Sequence, residues 1–165
     1  MLNAQCIGRG GLTIEHFVCI HMEQTKLTPS GKPFDIHERL LLFACDIVRV
    51  TQFLHTRGPI GRRISYQILD AGTSVGANAE EADGASSHDD FIAKNRIALK
   101  EAKETRFRLR VCQRSRLLTP EFYPVVQESD ELVRILGKIV HNALQNRAAR
   151  KGAVTPHARG SMPNA

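Results

Sequence analysis

From Phe34 onward, apolar residues return every three or four positions in four separate runs. In the first, Ile36, Leu40, Phe43, Ile47, Val50 and Leu54 alternate four and three apart, the seam of a helix in a bundle. Leu41, Ala44 and Val48 widen that seam to a core-facing stripe. Asp35 supplies an N-cap with Glu38 three residues on, and Gly58-Pro59 stops the helix, giving a span of about 35–57. The second run, about 60–82, places Ile64, Ile68, Ala71, Val75, Ala79 and Ala82 on one face. Beside it lies a polar row of Arg63, Gln67, Asp70, Ser74, Asn78 and Glu81. Gly72 and Gly76 each cost about 1 kcal/mol against alanine, a loss that close approach of another backbone would offset.

Gly84-Ala85 ends the second helix, and Ser86 with Asp89, or Ser87 with Asp90, makes a capping box for the third. That helix, about 88–117, carries Phe91, Ala98, Ala102, Thr105, Leu109 and Cys112 on one face. Ile92, Ile97, Leu99, Phe107 and Val111 fall elsewhere around it, so it calls for an additional neighbour, another copy of the chain. Thr119-Pro120 breaks the chain again. The fourth helix, about 121–147, has Phe122, Val126, Ser129, Val133, Leu136, Val140 and Ala143 as its seam and Pro124 in its first turn. The pattern predicts an all-α, up-down-up-down four-helix bundle over residues 34–147. Residues 1–33 have no sustained period and read as a disordered extension, or as sequence upstream of a true start at Met22. Residues 148–165 read as a disordered basic tail.

Composition adds two constraints. Aromatics are only 5%, with no Trp, so the core is aliphatic, and a net charge of +6 suits an anionic partner such as RNA or DNA. Cys6, Cys19, Cys45 and Cys112 lack metal-type spacing, and Cys45 and Cys112 read as buried free thiols of a reducing cytoplasm. No apolar run is long enough to span a bilayer, and no signal peptide is evident, so the cytoplasm is expected.

Candidate chemistry is sparse. The seven histidines (His16, His21, His37, His55, His88, His141 and His157) are scattered, and no zinc, phosphate-loop or serine-hydrolase motif occurs. His88-Asp89-Asp90 has metal-binding residue types, but helix capping accounts for its aspartates. No enzyme activity, metal or cofactor is expected. Ser74, Asn78 and Glu81 share a face, and antiparallel pairing sets them opposite Lys94, Glu101 and Glu104. Their expected role is a buried structural polar network, with a ligand site as the alternative.

The basic residues of the third helix are the functional lead. Arg96, Lys100, Lys103, Arg106, Arg110 and Arg114 fall within an arc of about 120°. Such a stripe, supported by Arg62 and Arg63, can hold a phosphate backbone. Only Phe107 lies near it for base stacking, so weak sequence specificity is expected. The alternative is a solvated or interface face, making the protein a structural or protein-interaction module.

Three pieces carry a family resemblance: Gly72-Thr73-Ser74-Val75-Gly76-Ala77-Asn78-Ala79-Glu80-Glu81-Ala82, then Asp90-Phe91-Ile92-Ala93-Lys94, then Ile97-Ala98-Leu99-Lys100-Glu101-Ala102-Lys103-Glu104-Thr105. Through them the chain resembles the four-helix-bundle proteins encoded by intervening sequences in bacterial 23S ribosomal RNA genes, loosely from Phe34 to about Asn146. The resemblance implies a ring-forming bundle, a homopentamer. It also implies kinship with the accessory variability protein of diversity-generating retroelements, itself similar to a pentameric barrel that binds nucleic acid and a reverse transcriptase. Gly84-Ala85-Ser86 departs from the more helical, more basic or bulkier link of the relatives.

Overall fold

The structure, a computed structural model, describes Gly31 and residues 35–153, with side chains followed as far as Arg150. The expectations for residues 1–30, including the Met22 start, and for residues 154–165 lie outside the described residues. The described residues form four α-helices: α1 (Ile36–His55), α2 (Gly58–Asp83), α3 (His88–Arg114) and α4 (Tyr123–Ala153). A 3-10 turn at Pro120–Phe122 leads into α4, and no strand occurs among the described residues. The chain divides into two units after Arg39. In the first, Asp35 Oδ1 accepts a hydrogen bond from the His37 N–H at 2.9 Å and so caps α1.

The second unit holds the core. Leu40, Phe43, Ile47, Val50 and Leu54 of α1 are each at most 2% exposed. Burial of such side chains contributes about 1.5–3 kcal/mol apiece. Leu41 and Val48 depart from the expected stripe, being 56% and 40% exposed. Each follows a seam residue by one position, about 100° round the helix, which carries it past the reach of the neighbours. Cys45 lies on the same outer side and is exposed, against expectation, whereas Cys112 of α3 is buried.

Short connections set the topology. Gly58 takes φ +79°, a left-handed conformation that glycine adopts without steric cost, and Pro59 follows at the start of α2. One dipeptide thus ends α1 and opens α2. The two helices then run antiparallel in close contact: a Cβ built on Gly72 would stand 2.8 Å from both Cγ atoms of Ile47. Across the next turn Ser87 Oγ accepts from the Asp90 N–H at 3.1 Å, and Asp90 Oδ2 accepts from the Ser86 N–H at 3.2 Å. Of the two capping pairs foreseen, Ser87 with Asp90 is therefore the one formed. Arg116, at φ 59°, turns the chain out of α3 in the left-handed position usually given to glycine. The Cys112 carbonyl accepts from the N–H groups of Leu117 and Leu118 there.

The bundle closes where the Phe122 ring meets Phe53 of α1, with centroids 4.8 Å apart. From Val125 to Ala143, α4 buries Val126, Ser129, Leu132, Val133, Leu136 and Val140. It then runs past Arg147, where a tail was expected, and ends only at Ala153. Ala148, Ala149, Arg150 and Lys151 are strong helix formers, and no glycine interrupts them before Gly152.

Candidate nucleic-acid interface

Two surfaces of α3 collect the candidate residues. Toward α2, Gln67, Asp70, Ala71, Ser74 and Asn78 face Glu101, Glu104 and Arg108 across a groove of about 340 Å³. The antiparallel register is fixed nearer the α2–α3 turn by an ion pair between Lys94 and Glu81. That carboxylate, by hydrogen bonding and then by its charge, holds the Lys94 ammonium above its ordinary pKa. Elsewhere the polar side chains bond within their own helices. Ser74 Oγ donates to the Asp70 carbonyl at 2.7 Å, and Asn78 Nδ2 donates to the Ser74 carbonyl at 2.8 Å. Glu104 pairs with Arg108 one turn on, and Glu101 has Lys100 Nζ at 3.6 Å. The six residues expected to form one buried network thus make one cross-helix pair and the walls of an open groove. Back-bonding to the carbonyl four residues earlier satisfies Ser74 and Asn78 without a partner helix.

Away from the core, α3 presents its basic residues. Arg96, Lys100, Lys103, Arg110 and Arg114 are exposed, and Arg106 is half-buried, with Asp130 of α4 at 3.6 Å. Arg62 and Arg63 are exposed on the first turns of α2. Because α2 and α3 run antiparallel, these two arginines lie at the same end of the bundle as Arg110 and Arg114. From Arg106 to Arg116 the chain has five arginines and no acid. Phe107, 68% exposed, sits inside the basic arc, and with Arg106, Arg110, Val111 and Arg114 it lines a recess of about 220 Å³.

The His88-Asp89-Asp90 cluster is taken up by structure. His88 Nε2 lies 3.0 Å from the Ala143 carbonyl, and its ring stacks on Phe91 with centroids 6.3 Å apart. Asp89 pairs with Arg147 of α4 at 2.9 Å, while Asp90 serves the α3 cap. No group of three or more His, Cys, Asp or Glu residues able to hold a metal occurs among the described residues. Burial pushes the Cys112 thiol up to about 11, leaving it a protonated core residue at neutral pH. Burial also raises the Asp46 carboxyl on α1, opposed by its neighbour Arg49 at 3.0 Å and reinforced by Glu128. Among the described residues no helix is long and apolar enough to cross a membrane.

Comparison with known proteins fits this architecture. Residues 32–138 match the family described as 23S rRNA-intervening sequence protein. A crystal structure of a protein of unknown function from the S23 ribosomal protein family of Bacteroides thetaiotaomicron VPI-5482 superposes with a TM-score of 0.59. It is 38% identical, over 64% of this chain and 98% of that one. No curated protein matches. The family match runs from the start of α1 well into α4, over helices whose pairing is described above, and this chain belongs to the 23S rRNA-intervening sequence protein family.

Proposed function

We propose that this protein is a non-catalytic, self-assembling bundle of the cytoplasm that binds nucleic acid through the phosphate backbone. The observation that carries the reading is the outer face of α3. Among the described residues, Arg96, Lys103, Arg110 and Arg114 have no acidic partner, and the acids nearest Lys100 and Arg106 stand 3.6 Å away. The first four, spared from internal pairing, are available to an external polyanion, whose displaced counterions drive association. Exposed Leu41, Val48 and Ile97 support self-assembly, for which a pentameric ring is the form proposed. In such a ring each copy's stripe repeats by symmetry and the fields add.

The test is oligonucleotide affinity as a function of salt. Log affinity should fall linearly with log salt, by about 0.7 to 0.9 per phosphate engaged. Reversing Arg110 and Arg114 to Glu should abolish binding at low salt while leaving the helical content intact. A salt-independent affinity, or one indifferent to the reversal, would remove this reading. The exposed apolar positions also favour a second one, a protein-interaction module whose arginines meet acids of a neighbouring copy. Light scattering separates the two: an oligomer mass that tracks salt, with no nucleic acid retained, supports the module.

A further inference from the structure

Phosphate pairing makes no use of the most exposed large apolar side chain on α3. Phe107 precedes the buried Leu109 by two residues, so it points about 160° away from it, straight out of the bundle. Val111 lies one turn on, and the two form the apolar floor of the 220 Å³ recess rimmed by Arg106, Arg110 and Arg114. Successive arginines of that rim are separated by about 6 Å of helix rise, a step that neighbouring phosphates of an extended strand can follow. A flat apolar ring among cations fits few partners. A basic peptide is repelled, a plain apolar partner leaves Arg110 and Arg114 unpaired, and a second α3 laid face to face brings the same charges together. A partner that answers both features in every repeat is a polyanion whose repeating unit also offers a flat apolar face. Single-stranded nucleic acid has that character, whereas a duplex hides its base faces in the stack and presents phosphates alone.

We infer that Phe107 is a stacking platform for an unpaired base, with the flanking phosphates held by Arg110 and Arg114. The ligand of this face is therefore a single strand rather than a duplex. This inference rests on the phosphate-binding reading above. Stacking and phosphate pairing do not read the 2′-hydroxyl, so RNA and DNA strands both qualify.

Fluorescence anisotropy of the full chain tests it, with a labelled single-stranded DNA oligonucleotide and the duplex of the same sequence as probes. Phe107→Ala should weaken single-strand binding by about 5- to 160-fold, the range that loss of one base–aromatic stack produces. Duplex affinity should stay within about twofold, because phosphate contacts are retained. Phe107→Tyr should restore single-strand affinity. At 68% exposure the ring contributes little to the core, and circular dichroism of both variants checks that they fold. An equal loss on both probes, or no loss on either while salt dependence persists, overturns the stacking role and leaves phosphate binding standing. Failure to bind either probe at low salt overturns both readings. A change in oligomer mass on Phe107→Ala assigns the ring to a neighbouring copy and likewise overturns the inference.

Discussion

Helix α2 has two flanks built on opposite principles. Against α1 it is closed: Ile47 sits on the bare backbone of Gly72, and Leu40 and Leu54 are dry. Against α3 it opens into the groove walled by Ser74, Asn78, Glu101 and Glu104. The closed flank is bare at Gly72, whereas the open one carries Gln67, Asp70, Ser74 and Asn78. On the closed side the missing Cβ is filled by a neighbour's methyl groups. On the open side serine and asparagine meet their hydrogen-bonding needs inside their own helix, and the Lys94–Glu81 pair joins the helices away from the groove.

The largest effect should come from Ile47→Ala, which empties the closed seam. A loss of about 2–5 kcal/mol in urea unfolding is expected, and a value under about 1 would mean that the seam is not packed as described. Gly72→Ala acts at the same spot from the other side. Its methyl would meet both Ile47 Cγ atoms at 2.8 Å, and Ile47 is fully buried with nowhere to retreat. Overpacking of about 1–3 kcal/mol then outweighs the roughly 1 kcal/mol gain in helix propensity, giving a net loss. Gly76→Ala sharpens the contrast, because its methyl would find Leu40 at an ordinary 3.8 Å. There the propensity gain should stand alone, raising stability by about 0.5–1 kcal/mol, readable as a higher melting temperature.

The open flank should respond least. Among the described residues Glu101 has no cross-helix hydrogen bond, so Glu101→Ala is expected to stay within about 0.5 kcal/mol of the parent. A loss several times larger would restore the buried network and erase the distinction between the flanks. The smallest signal is chemical. Cys112, protonated with its pKa near 11, should resist iodoacetamide at about pH 8, while exposed Cys45 is alkylated. Peptide mapping of the labelled protein reads the difference directly, and label on folded Cys112 would show that the interior opens.

Much of this was legible in the sequence. The four-three spacing from Leu40 to Leu54 identified the α1 seam, and Gly58-Pro59 and Ser87-Asp90 marked helix ends, because each of these signals acts through nearby backbone. Leu41, Val48 and Cys45 were misread because an apolar stripe can be wider than the surface its neighbours cover. The row through Ser74 and Asn78 was legible as a face, but spacing cannot tell a bond across helices from one made four residues back. The reach of α4 to Ala153 was hidden by the charge of its last turns, although alanine, arginine and lysine all favour helix. The basic arc could be computed from the sequence. Phe107 was legible as lying off the Leu109 face, but that no neighbouring helix covers it, leaving it 68% exposed, required the structure.

The short links between helices have a kinetic consequence. Two residues separate α1 from α2, and four separate α2 from α3, so each helix docks first on the one made just before it. Little loop-closure entropy is lost in either step, and the pairings are nearly all local, the arrangement that folds in microseconds to milliseconds. The meeting of α1 with α4 and the turn before it, Asp46 with Glu128 and Phe53 with Phe122, must wait for distant parts of the chain, and stopped-flow mixing would time that closing step as the slow phase.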